Sequence, residues 1–165
     1  MNLNKTKIER IKMFDLIKEV PSLELCKKLK SLGLPQDTGG WYWVLSENGS
    51  EWLLCYYVRH DKSKDGIWNF WSYNLDRKPE YIHVWGSQER FIKAPTVREL
   101  GEWLPCYLPE LKFLHIERNE DGFHYYYDEK TFDGAYVIAN TEANARAKML
   151  IWLAENGYVK FGEQK

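Results

Sequence analysis

Two apolar runs separated by six polar residues constrain this chain more than any other feature. Residues 41–45 (Trp-Tyr-Trp-Val-Leu) and 52–58 (Trp-Leu-Leu-Cys-Tyr-Tyr-Val) are aromatic or aliphatic but for Cys55. Between them lies Ser46-Glu47-Asn48-Gly49-Ser50-Glu51, in which Asn48-Gly49 supplies the positive φ angles that reverse a chain. A β-hairpin follows. Further strand candidates are 67–73 and 81–85, joined through polar turns at 61–66 and 74–79. These connections are too short for crossover helices, so the pairing is predicted to be antiparallel. A second hairpin is predicted from 111–117 and 123–128 around Asn119-Glu120-Asp121-Gly122, and 136–138 adds one short strand.

Helical patterns flank the strands. Met13, Leu16, Ile17 and Val20 recur at helical spacing within 7–20, and Pro21 stops the pattern. Ser22 sits where an N-cap belongs, ahead of Leu25, Cys26, Leu29 and Leu32, with Gly33 and Pro35 closing that helix. Lys27, Lys28 and Lys30 fall off its stripe and read as a solvated face rather than a phosphate-binding ridge. Thr96 and Glu99 have capping-box spacing, and Pro105 ends the helix they open near Leu104. The last helix runs from Thr141 as N-cap to about Asn156, with Gly157 placed for the left-handed conformation. Ala143, Ala147, Leu150 and Ala154 form one stripe of it, Arg146 is set to pair with Glu142, and Trp152 points the other way.

The 165 residues suit one ordinary domain. The reading is an α+β fold: an antiparallel sheet of aromatic-rich hairpins packed against three or four helices, one domain over 1–165, with 1–12 an N-terminal arm expected to be disordered. Capped helices at Pro21-Ser22 and Pro95-Thr96 are each followed by an aromatic hairpin, which raises a repeat of two helix–hairpin units against the simpler view that capped helices recur in such folds. Lys and Arg number 23 against 24 Asp and Glu, a net charge of −1 that favours no polyanion. Residues 1–40 carry +3 and 96–165 carry −4, a mild asymmetry. Cys26, Cys55 and Cys106 form no C-x-x-C pair and read as reduced, mostly buried thiols. No apolar segment suits a signal peptide or a membrane span, so a cytoplasmic protein is expected.

Three segments carry a resemblance: 20–29 (Val-Pro-Ser-Leu-Glu-Leu-Cys-Lys-Lys-Leu), 94–105 (Ala-Pro-Thr-Val-Arg-Glu-Leu-Gly-Glu-Trp-Leu-Pro) and 141–153 (Thr-Glu-Ala-Asn-Ala-Arg-Ala-Lys-Met-Leu-Ile-Trp-Leu). In this order they resemble short uncharacterised proteins encoded in bacterial genomes and in phage or prophage regions. The likeness spans most of the chain and rests on helix caps and core stripes. It implies a mobile-element origin and carries no activity or site residue.

Catalytic signatures are absent: there is no G-x-S-x-G, Walker A, G-x-G-x-x-G or H-E-x-x-H. Residues 117–128 place oxygen-bearing side chains at loop positions suited to calcium, but position 1 is Glu, position 12 is Asp and the flanks alternate like strands, so a hairpin turn is expected. His115 and His124 face each other across that hairpin in this reading, with Glu117 and Asp128 nearby, and a metal site there is the one enzymatic alternative.

Aromatic residues make up 16% of the chain. Trp41, Trp43, Trp68, Trp71, Tyr73 and Trp85 form the candidate binding surface, the alternative being that these rings fill the core. The reading is a non-catalytic interaction protein of phage or mobile-element origin that binds a protein through exposed aromatics, with no cofactor, metal or membrane involved. A single-strand nucleic-acid binder, using the same rings with Arg59, Lys62, Lys64, Arg77 and Lys78, is the first alternative. A metal-dependent enzyme is the second.

Overall fold

The structure, a computed structural model, describes the main chain of residues 17–59, 67–72, 80–85, 88–128 and 135–162 and the side chains of 17–57, 89–128 and 135–162. The predicted arm and most of the helix at 7–20 lie outside these residues. The chain divides into two compact units, the first of Met1–Ile17 with Gln36–Ala94 and the second of Lys18–Pro35 with Pro95–Lys165. The strands form two antiparallel sheets, and three α-helices occur among the described residues. The fold is α+β, as the sequence reading expects.

In the first unit, β1 (Trp41–Leu45) and β2 (Trp52–Arg59) form the hairpin around Asn48-Gly49, with Gly49 at φ 70°. β3 (Ile67–Ser72) and β4 (Glu80–Trp85) continue it, and β5 (Phe91–Lys93) pairs with β1 after a 3-10 turn at Gln88–Arg90. The order is β4-β3-β2-β1-β5. β5 is absent from the sequence reading, because three residues ending in lysine show neither alternation nor an apolar run. That lysine is buried: Lys93 donates its ammonium to the Gly39 carbonyl and lies 5.4 Å from the Tyr42 ring centroid, so its charge is not stranded in the core.

In the second unit, α1 (Leu23–Ser31), α2 (Val97–Trp103) and α3 (Glu142–Glu155) share a core of Leu29, Leu34, Leu100, Ala147 and Leu150. Helix α1 thus packs with the second hairpin's unit, and the two helix–hairpin repeats are not separate modules. The sheet has the order β6-β7-β8-β9, from β6 (Tyr107–Leu108), β7 (Lys112–Asn119), β8 (Gly122–Tyr127) and β9 (Tyr136–Ala139). Its inner face joins Ala145, Met149 and Leu153 of α3 to Tyr125, Tyr127 and Ala139. Helix α3 is therefore buried on two sides, where the sequence suggested one stripe. A helix between two layers needs apolar residues on both, which blurs its amphipathic period.

Local chemistry set the helix ends largely as predicted. Thr96 and Glu99 form both halves of the capping box, Thr141 accepts from the Asn144 N–H, and Gly157 takes φ 80°. Ser22 differs. Its side chain makes no cap bond, and its main-chain N–H instead donates to Asn144 Oδ1 at 2.9 Å, tying the start of α1 to α3. Lys27 pairs with Glu24 and Lys28 with Glu155, in keeping with a solvated face.

Arg146 links three elements of this unit. Its Nη2 lies 2.6 Å from Glu142 Oε1, as the i,i+4 spacing predicted, while Nε donates to Tyr125 Oη and Nη1 to the Val97 carbonyl. Gly101 of α2 gives it room: a Cβ there would sit 2.2 Å from Arg146 Nη1.

Candidate functional site

Register and alternation sort the first sheet into two faces. Tyr42, Val44, Cys55, Tyr57 and Phe91 are buried together on one of them. The other face carries Trp41, Trp43 and Leu45 from β1 and Trp52, Leu54 and Tyr56 from β2, in the pairs Trp41↔Tyr56, Trp43↔Leu54 and Leu45↔Trp52. These side chains are half-buried, and Tyr56 is 43% exposed. No charged residue interrupts the three pairs. Trp41 and Tyr56 meet edge to face with ring centroids 5.1 Å apart, the arrangement their quadrupoles favour.

The register extends this row. Tyr56 pairs with Trp71 and Trp71 with Tyr81, so four adjacent strands place an aromatic residue in line. Trp85, opposite Ile67, falls on the same parity, whereas Trp68, opposite Val84, falls on the parity of Phe70. Of the six residues singled out in the sequence, Trp41 and Trp43 lie together on this face, while Trp71 and Trp85 share a register parity in line with Tyr56 and Trp68 has the other. Tyr73 lies outside the described residues. The sequence reading missed Tyr56 and Trp52, although the turn at 46–51 fixes Leu45 opposite Trp52 and so sets both.

The second sheet has a polar outer face. Tyr126 donates to Glu117 Oε1 at 2.5 Å, His115 Nε2 lies 3.0 Å from Asp128 Oδ1, and His124 Nδ1 lies 2.6 Å from Tyr136 Oη. The His115 ring stacks on Tyr126 with centroids 5.1 Å apart and planes 10° from parallel. His115 and His124 share this face but are not opposite: His115 faces Tyr126, and His124 faces Glu117. His124 is buried, and its Nε2 has no hydrogen-bond partner. Residues 117–128 form a tight hairpin with Asn119 opposite Gly122, and the calcium-loop spacing is coincidental. Among the described residues no three His, Cys, Asp or Glu side chains are grouped to hold a metal ion.

Hydrogen bonding to His115 holds the Asp128 carboxyl below the usual carboxylate range. On the inner face, burial pushes the Tyr125 phenol up to about 12 despite the nearby Arg146 charge, and burial raises Tyr127 further. Above the ordinary tyrosine value of 10.0 the unfolded chain loses protons that the folded chain keeps. Stability is therefore expected to fall as pH rises from 10.0 through about 12. Urea unfolding between about pH 9 and about pH 11 checks this, with Tyr127→Phe flattening the decline; an unchanged slope in that variant would contradict it.

Taken with the fold, these features define an α+β protein of two antiparallel sheets, the first of which carries apolar side chains on both faces of its paired segments 41–45 and 52–57. No protein family, curated protein or solved structure matches the chain. Among the described residues no helix is long and apolar enough to cross a membrane.

Proposed function

We propose that this chain is a small non-catalytic accessory protein, working in the cytoplasm, that binds a protein partner on the aromatic face of its five-stranded sheet. One observation carries the reading: residues 41–45 of β1 and 52–57 of β2 put a buried core on one face and, through Trp41, Trp43, Leu45, Trp52, Leu54 and Tyr56, an uncharged surface on the other. An antiparallel sheet ordinarily turns its second face to water with polar and charged side chains, and the three pairs Trp41↔Tyr56, Trp43↔Leu54 and Leu45↔Trp52 carry no charged one. Tryptophan and tyrosine are the residues that dominate binding energy at protein interfaces. A net charge of −1 disfavours nucleic acid, whose binding draws on released counterions. An accessory role in a mobile element is part of this proposal and follows the expectation raised by segments 20–29, 94–105 and 141–153.

Trp41→Ala and Tyr56→Ala are each expected to weaken partner affinity about thirtyfold, the 2 kcal/mol that marks a hot spot. Calorimetry with the captured partner measures this. Folded variants that bind as tightly as the unaltered chain would contradict it.

A further inference from the structure

The chain contains two Asn-Gly dipeptides, Asn48-Gly49 and Asn156-Gly157. In sequence they are alike, and in structure both asparagines are exposed, both glycines have positive φ, and a Cβ at either glycine would meet open space. Both glycine N–H groups are also engaged, Gly49 with the Ser46 carbonyl at 2.9 Å and Gly157 with the Ala154 carbonyl at 3.2 Å. The asparagine side chains differ. Asn48 Oδ1 accepts three hydrogen bonds, from Ser46 Oγ at 2.8 Å, Ser50 Oγ at 2.7 Å and the Ser50 N–H at 3.1 Å. Asn156 instead donates its Nδ2 to the Trp152 carbonyl at 2.9 Å.

We propose that Asn48 is a site of spontaneous deamidation in the folded protein and that Asn156, despite the same dipeptide, is held back. In the reaction the Gly49 nitrogen attacks Asn48 Cγ and loses its hydrogen as the new C–N bond forms. The Cγ–Nδ2 bond breaks, and ammonia leaves with that hydrogen, giving a cyclic imide. Water then opens one of the two imide C–N bonds, producing aspartate or, with the main chain rerouted through Cγ, isoaspartate.

Negative charge develops on Oδ1 during the attack, so three donors already aimed at Oδ1 stabilise the transition state as an oxyanion hole does. At Asn156 no donor meets Oδ1 in this way, and the hydrogen bond to Trp152 fixes the leaving nitrogen against the end of α3. Opening the Gly49 hydrogen bond at a hairpin tip costs little, because such segments sit at the low end of local stability. The product adds a negative charge and, as isoaspartate, one main-chain atom to the turn that joins β1 to β2. It thereby alters the end of the aromatic face, although the chemistry stands independently of what that face binds.

Peptide mapping by mass spectrometry tests the proposal on the full chain, incubated folded and, in parallel, unfolded in urea. Tryptic segments 31–59 and 149–160 report the two sites separately through a gain of one mass unit. Each folded rate is divided by its unfolded rate, and the ratio at Asn48 is expected to exceed that at Asn156 about tenfold. Ser50→Ala is expected to lower the folded rate at Asn48 and leave the unfolded rate unchanged. Equal or reversed ratios, no reaction at Asn48 in the folded chain, or a Ser50→Ala variant that reacts as fast would each overturn it.

Discussion

Arg146→Ala is expected to destabilise the second unit by about 3 kcal/mol, the scale seen when one partner of a covered ion pair is removed. The guanidinium is four-fifths covered and serves Glu142, Tyr125 and the Val97 carbonyl at once. Without it the Glu142 carboxylate keeps only the Tyr125 hydroxyl as donor, the phenol and the Val97 carbonyl each lose a hydrogen bond, and the desolvation already incurred is no longer offset. Arg146→Lys is expected to recover little, since an ammonium cannot present the planar fork that reaches α2, α3 and β8. Urea unfolding, with hydrogen exchange along α3, measures the loss. A change below about 0.5 kcal/mol would mean that the pair behaves as an exposed one.

Gly122→Ala is the second large effect, again about 3 kcal/mol, combining overpacking with backbone strain. A Cβ at Gly122 would lie 2.3 Å from the Ala139 carbonyl oxygen, and the obstacle is β9 main chain that no rotamer change can move. The residue also holds φ 126°, which side chains rarely adopt. Gly49→Ala serves as the control: its φ is positive as well, but a Cβ there meets nothing within 4 Å. Thermal unfolding should separate the two by about 2 kcal/mol. Equal losses would show that close approach to β9 has no energetic weight.

These two positions illustrate what the sequence discloses. Features whose cause lies within four residues were readable: the Thr96–Glu99 box, the Thr141 cap, the Asn48-Gly49 turn and the Glu142–Arg146 pair all arise from local geometry. Features caused by distant partners were not. Ser22 has the side chain of an N-cap, yet Asn144, far along the chain, anchors that helix start. Gly122 was legible as a turn residue, whereas its approach to Ala139 depends on β9 lying alongside. Arg146 was legible as half of an ion pair, but not as a link to Val97 and Tyr125.

The candidate site divides in the same way. Aromatic excess drew attention to Trp41, Trp43 and Trp71, and strand alternation was enough to set Trp41 and Trp43 on one face. Tyr56 and Trp52 emerge only when the hairpin register pairs β2 with β1. The polar groups of the second sheet were recognised as residues, and of their grouping His115 does meet Asp128, whereas His124 turns to Tyr136 and Glu117 to Tyr126, because cross-strand neighbours and not sequence neighbours meet on a face.

The central claim is that the face carrying Trp41, Trp43, Trp52 and Tyr56 holds a protein. The most direct measurement captures partners from a lysate of the source cell, on the unaltered chain and on Trp41→Ala and Tyr56→Ala chains whose folding is verified, with and without nuclease. The account predicts one protein retained near stoichiometry by the unaltered chain, indifferent to nuclease and lost from both variants. Retention unchanged by the substitutions, or retention abolished by nuclease, would contradict it, and the latter would move the assignment to single-stranded nucleic acid.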